Sequence, residues 1–291
     1  MDSTNKRLFL TGASGLLGRA ILKKFSEYGW EVLGTGFSRV SPPLIKVDLH
    51  DVSSVQKILA EFKPSFIIHS AAVRFPDQVE SNPEEAVNMN VKVSQHLASI
   101  SDKIGVPLLY ISTDYVFDGK KPPYKVEDQP CPVNLYGNLI LRIPVLYGTV
   151  EKLSESAVTT LLEPLLNTSK PCSMSNYERR YPAHVNDIAE ICHQLGQKKL
   201  EDPSICGIFQ WSGQEMLTKY QMICKMAKVF SLPCNHVTPV DGPGAGAVTR
   251  PYDSQMDVSS LVLLFKKIPH HTPFEEGIKE CLQPWTTKKA Q

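Results

Sequence analysis

The chain has 291 residues, 42% of them hydrophobic and 21% charged, the balance of an ordinary globular protein long enough to bury one large core or two closely packed ones. Its 31 basic and 30 acidic residues leave a formal net charge of +1, which excludes a nucleic-acid or membrane-surface role driven by charge alone. No apolar run approaches the ~20 residues of a membrane helix, and the polar amino terminus passes into a strand at Arg7 without room for a secretory signal. A cytoplasmic or nuclear protein is expected. Cys131, Cys172, Cys192, Cys206, Cys224, Cys234 and Cys281 are scattered and never spaced C-x-x-C. They read as buried thiols, with neither a zinc site nor a disulfide framework.

Strand-like and helical runs alternate through the first half, the signature of a parallel sheet covered on both faces. Strands are expected at Arg7 to Thr11, Glu31 to Thr35, Leu44 to Val47, Phe66 to Ser70 and Leu108 to Ser112. Helices are expected at Gly15 to Tyr28, Val52 to Glu61 and Pro83 to Ile104, the last opening on a proline where the first turn tolerates one. Leu139 to Leu146 reads as a sixth strand, after which the alternation becomes irregular. Asn186 opens a helix to about Leu195, Gly207 to Trp211 reads as a strand, Thr218 caps a helix to Phe230, and Gly242 to Gly246 is a loop.

Thr11 Gly12 Ala13 Ser14 Gly15 Leu16 Leu17 Gly18 joins the first strand to the first helix. Glycines at this spacing let the backbone turn, approach a pyrophosphate and pack helix on sheet, while the helix amino terminus faces the phosphates. An NAD site would carry an acidic residue at the end of the second strand. This chain has Phe37, Ser38 and Arg39 there, and Arg39 can grip a 2′-phosphate with Ser38 assisting, which points to NADP. Asp48 and Leu49 would border the adenine, Ser70 the pyrophosphate side, and Arg74 could reach a phosphate.

Tyr110 to Gly119 (YISTDYVFDG) is far more specific, and it resembles the corresponding segment of dTDP-4-dehydrorhamnose reductases, within the extended short-chain dehydrogenase/reductase family. Pro122 Pro123 Tyr124, Asn134 to Gly137, Arg142 to Gly148 and Arg250 Pro251 extend the likeness to roughly residues 7 to 284. Within that family, Gly34 to Phe37, Leu146 to Ala157, Phe209 to Gly213 and Thr218 Lys219 Tyr220 resemble the regulatory beta subunits of methionine adenosyltransferase. The resemblance implies an α/β fold: a Rossmann-like, doubly wound parallel sheet (residues 1–146 plus 183–212) with a smaller C-terminal α/β domain (147–182 plus 213–291). It further implies NADP as cofactor and the catalytic subunit of methionine adenosyltransferase as partner, in a hetero-oligomer whose kinetics the chain modulates. The matching motifs imply cofactor contacts from Ser14 to Leu17, Phe37 to Arg39, Asp48, Leu49, Ser70, Arg74, Tyr136 and Leu146. In that family a tail with aromatic and basic residues docks on the catalytic subunit, and here it would offer Trp285, Lys288 and Lys289.

Carbonyl reduction in the reductase family uses a serine or threonine, a tyrosine and a lysine four positions later. Thr113 and Tyr136 match the first two, but position 140 is isoleucine. A tyrosine without a neighbouring cation stays near pKa ~10, poorly matched to proton transfer at neutral pH. From Tyr136 to Leu139 the chain spans at most about 10 to 11 Å, while a strand of five or six residues is ~17 to 20 Å long. Tyr136 therefore cannot reach the carboxyl end of the sheet if Leu139 begins a parallel strand. The helix between strands five and six is missing, Thr113 and Tyr136 are vestigial, and one face of the sheet near Ile111 and Leu141 should be uncovered. The competing readings are an NADPH-dependent reductase of a dTDP-linked 4-keto sugar and an NADP-binding scaffold for another partner.

Arg179 and Arg180 could face an anionic ligand or be surface charge, and His184 reads as a packed linker residue. His270 and His271 lie in a proline-flanked loop with no further ligands, and Trp211 and Trp285 are expected to pack against the core.

Overall fold

In the computed structural model the described residues are 6–128, 138–243 and 250–287. Tyr136, Cys131, Lys288 and Lys289 lie outside them. The chain divides into two compact units, Met1–Ser112 with Pro132–Leu141 and Ala189–Phe209, and Thr113–Cys131 with Arg142–Ile188 and Gln210–Gln291.

The first unit begins with β1 (Arg7–Thr11), α1 (Leu16–Glu27), β2 (Glu31–Gly36), β3 (Ile45–Lys46), α2 (Val52–Phe62) and β4 (Phe66–His69). A helical crossover follows: α3 (Pro76–Ser81), α4 (Pro83–Val87), a π-helical turn (Asn88–Val93) and α5 (Ser94–Ile104), ending at β5 (Leu108–Thr113). The helical run expected from Pro83 to Ile104 is thus interrupted by one wide turn. Asp51 caps α2 by accepting the Ser54 amide at 3.1 Å, and Gly105, at φ +68°, ends α5 in the left-handed region that glycine enters without strain.

Next come β6 (Leu139–Ile143), β7 (Leu146–Tyr147), α6 (Leu162–Leu166), β8 (Cys172–Ser175), β9 (Ala183–His184), α7 (Val185–Glu201) and β10 (Gly207–Gln210). Seven strands form one sheet in the order β10-β6-β5-β4-β1-β2-β3, bounded on one side by the two-residue β3. β1 pairs with β2 and β4, β2 with β3, and β4 with β5, all in parallel. Strands three, two, one, four, five and six in that order are the doubly wound arrangement that places ligands outside the strands' carboxyl ends. Its core gathers Phe9, Val55, Leu59, Ile67, Leu97 and Leu108, all nearly or fully buried, each contributing about 1.5–3 kcal/mol by burial.

Between β5 and β6 the described residues hold only a 3₁₀ turn, Asp114–Val116, and no α-helix. The expected uncovering of the sheet there is corrected at one residue. Leu141 is fully buried and every other side chain of β6 is buried or nearly so, while Ile111 is half-buried.

The second unit has two short parallel ribbons, β7 with β9 and β8 with β11 (Val237–Val240). α8 (Lys219–Phe230) opens on a full capping box, Thr218 accepting the Gln221 amide and the Gln221 side chain accepting the Thr218 amide. α9 (Ser259–Phe265) and α10 (Phe274–Thr287) close the chain, and Lys225 of α8 reaches Glu275 of α10 at 2.9 Å. Trp211 is buried and Trp285, on α10, is half-buried. The expectation of uniformly buried thiols is corrected: Cys192 and Cys281 are buried, Cys172, Cys224 and Cys234 are half-buried, and Cys206 is exposed.

Candidate dinucleotide-binding site

The glycine loop is shaped by three steric facts. Gly12 stands at φ +69°, and a Cβ there would meet the Ala71 nitrogen at 2.8 Å. A Cβ on Gly18 would sit 2.1 Å from the Gly12 carbonyl oxygen, and one on Gly15 would sit 3.2 Å from the same atom. That carbonyl accepts the Gly15 amide at 2.9 Å, which folds the loop onto the start of α1. α1 has no side-chain cap and no acidic residue in its first turn, so its leading amides and positive dipole end are left for an anion. Ser14 and Gly15 are half-buried in the loop, while Leu16, Leu17 and Gly18 are buried. Arg19 clamps the loop by donating from Nη1 to the Ser14 carbonyl at 2.9 Å.

Phe37, Ser38 and Arg39 are exposed just beyond β2. Lys46 lies with its ammonium 5.5 Å from the Phe37 ring centroid, so a second cation stands near this rim that sequence reasoning missed. Asp48 is exposed, and the His50 amide and ring bind its carboxylate at 3.0 and 2.9 Å. Those bonds hold its pKa below the usual carboxylate range. Leu49 is buried in the core cluster with Val47 and Val55.

Beneath the loop lies a polar chain that no local sequence motif marks. Thr11 Oγ1 accepts the amides of Ser70 and Ala71 at 3.2 and 3.3 Å, so its own proton points to His69 Nδ1, 2.7 Å away. His69 is thereby the Nε2–H tautomer and donates to Ser94 Oγ at 3.0 Å, and Ser94 donates to the Asn90 carbonyl at 3.0 Å. Asn90 sits in the π turn and grips Val73 twice at 2.8 Å, by its side-chain oxygen to the amide and its side-chain nitrogen to the carbonyl. The backbone from Ser70 to Val73 is thus fixed by groups behind it. His69 is fully buried, and burial lowers its pKa to about 4, so the neutral tautomer persists at physiological pH. Arg74, farther out, is exposed with its guanidinium 4.3 Å from the Phe75 ring centroid. Leu146 belongs to the other unit, where it pairs with Ala183.

Thr113 is exposed at the carboxyl end of β5. Its hydroxyl accepts the Tyr115 amide at 3.1 Å and donates to Asp114 at 3.2 Å, so it caps the 3₁₀ turn. Asp114 is buried, and burial pushes its pKa up to about 6 against the opposing pull of the Ser254 hydroxyl, Arg180 and the Thr113 hydroxyl. Ile140, where the reductase pattern would need lysine, is a buried residue of β6. Arg180 is buried and donates to the Arg179 and Pro251 carbonyls at 2.7 and 2.9 Å, while Arg179 pairs with Asp253 at 3.6 Å. His184 Nε2 lies 3.3 Å from Cys281 Sγ. Burial lowers the histidine's pKa and pushes the thiol up to about 12, which suits packing and not nucleophilic chemistry. No group of three or more metal-binding side chains occurs among the described residues.

Residues 6–287 match the model of the RmlD substrate binding domain family. The chain is 45% identical over 300 residues to methionine adenosyltransferase 2 subunit beta of Xenopus tropicalis, covering 98% of this chain and 89% of that one. The same subunit of Mus musculus is 46% identical over 302 residues, covering 98% and 90%. Among solved structures, the dTDP-4-dehydrorhamnose reductase of Bacillus anthracis str. Ames, in complex with NADP, superposes with a TM-score of 0.79 at 23% identity, covering 98% of this chain and 100% of that one. That likeness is one of fold, whereas the identity to the beta subunits runs through nearly the whole sequence. The chain belongs to the methionine adenosyltransferase 2 beta-subunit family, within the RmlD substrate-binding-domain family.

Proposed function

We propose that the chain is a non-catalytic regulatory subunit that binds NADP and modulates the synthesis of S-adenosylmethionine from methionine and ATP by the catalytic subunit of methionine adenosyltransferase, in a hetero-oligomer with it. The observation that carries this reading is the 45% identity to a named beta subunit across 98% of the chain. The site supports it from two directions. The loop formed by Gly12, Ser14, Gly15 and Gly18, the uncapped start of α1 and the rigid Ser70–Val73 backbone suit a pyrophosphate. Ser38 and Arg39, with Lys46 nearby, suit a 2′-phosphate. The chemistry has no such support. Position 140 is a buried strand isoleucine, and the hydroxyl of Thr113 is committed to capping a turn.

Size-exclusion chromatography of this chain with a methionine adenosyltransferase catalytic subunit, with and without NADP, tests the proposal. A shared peak whose methionine dependence differs from that of the catalytic subunit alone is expected. Separate elution of a well-folded chain would overturn the regulatory reading. NADPH oxidation with a dTDP-linked 4-keto sugar would put a reductase in its place.

A further inference from the structure

One corner of the second unit gathers three of its cysteines. Cys224 lies on α8, Cys234 in the connection from α8 to β11, and Cys172 at the start of β8, opposite Val237 of β11. The Cys224 and Cys234 sulfurs are 4.0 Å apart, and both residues are half-buried. A disulfide needs about 2.05 Å between sulfurs, so closure requires about 2 Å of approach, within reach of side-chain rotation and slight movement of the connecting loop. That loop gives room for it, with Ser231, Pro233 and Asn235 exposed.

We propose that Cys224 and Cys234 form a redox pair that closes to an intramolecular disulfide by exchange with a low-molecular-weight disulfide of the glutathione type. The Cys224 thiolate attacks one sulfur of the small disulfide, forming a mixed disulfide and releasing one small thiolate, which takes up the proton lost by Cys224. The Cys234 thiolate then attacks the Cys224 sulfur, forming the protein disulfide and releasing the second small thiolate, which takes up the other proton. Two protein thiols are oxidised and one small disulfide is reduced to two thiols. Burial pushes the Cys234 thiol up to about 11, which suits it to the second step, where the mixed disulfide is held beside it, better than to capturing a free oxidant. The new bond ties α8 to the connection that leads into β11. Because β11 pairs with β8 along its length, the ribbon and the helix would then be locked together.

Peptide mass spectrometry of the full chain after titration with oxidised glutathione, acid quenching and alkylation tests this. A linked Cys224–Cys234 peptide, two hydrogens lighter than its thiols, is expected, with glutathione on exposed Cys206 as the sign that the reagent is active. Cys234→Ser should trap glutathione on Cys224. The proposal falls if Cys224 and Cys234 stay free, or carry separate glutathiones, while Cys206 is modified. It falls equally if Cys172 takes the place of either partner, or if the link forms only in urea. The decisive readout is taken on the unmutated chain, so poor folding of a serine variant leaves it intact.

Discussion

The two crossovers that flank β5 are built in opposite ways. From β4 to β5 the chain spends three helices and a π turn, and through Asn90, Ser94 and His69 it fixes the backbone that would face a dinucleotide. From β5 to β6 the described residues offer a single 3₁₀ turn, and the hydroxyl best placed for chemistry is spent on capping it. The first crossover braces the backbone beside the glycine loop, and among the described residues the second carries no helix on which a reductase would mount its tyrosine and lysine. Binding geometry and catalytic geometry sit on separate segments of such a fold, so one can be kept while the other is lost.

The largest effect should come from the glycine loop. Gly18→Ala forces a Cβ to within 2.1 Å of a backbone oxygen that cannot yield without moving the loop. A destabilisation of about 3 kcal/mol in urea unfolding is expected, with NADP binding lost in calorimetry. A variant that binds normally would show that the loop adapts, and the contrast between the crossovers would weaken.

The next comparison is in pH. His69, at the end of β4, has a folded pKa of about 4 against an ordinary 6.5. The unfolded chain therefore binds the extra proton, and the stability His69 contributes is full above pH 6.5 and lost as the pH falls through 4. Asp114, after β5, has a folded pKa of about 6 against 3.8, so its contribution is full below pH 3.8 and lost as the pH rises through 6. Each is worth at most about 3 kcal/mol, and in the intact chain they oppose one another. Urea midpoints between pH 7 and 4.5 should fall more steeply on acidification in Asp114→Asn than in the unmutated chain, and less steeply in His69→Gln. Unchanged slopes in both variants would break this comparison.

The smallest effect concerns the rim of the nucleotide site. Arg39→Ala should weaken NADP about tenfold, the loss of one charge-assisted contact of roughly 1.4 kcal/mol, and leave NAD unchanged. An equal loss for both would place Arg39 away from the 2′-phosphate.

Much of the fold was legible because its signals are local. The glycine spacing, the cap at Thr218, Pro83 at a helix start and the runs Phe66 to His69 and Leu108 to Ser112 each declare their conformation within a few residues. The π turn was not legible, since one extra residue in a helical ladder leaves the apolar periodicity of Ala86, Val93 and Leu97 almost unaltered. Nor was the chain from Thr11 to Asn90, because threonine and histidine in strands read as ordinary until their partners are brought alongside. β8 and β11 are short, lack a clear alternation and carry Ser, Thr, Cys and Pro, so their pairing is set by tertiary contact. α10 runs through Pro284, which reads as a stop signal in sequence. The helix opened by Asn186 likewise extends past Leu195 to Glu201.

The edge of the large sheet carries a consequence for how the protein behaves when concentrated. β3 contributes only two residues, and Pro42 and Pro43, which precede it, have no amide hydrogen to offer. A strand that short presents little backbone of its own for another chain to extend, but it pairs β2 only at Thr35 and Gly36, so edge-to-edge association on that side would have to start on β2 between Glu31 and Gly34.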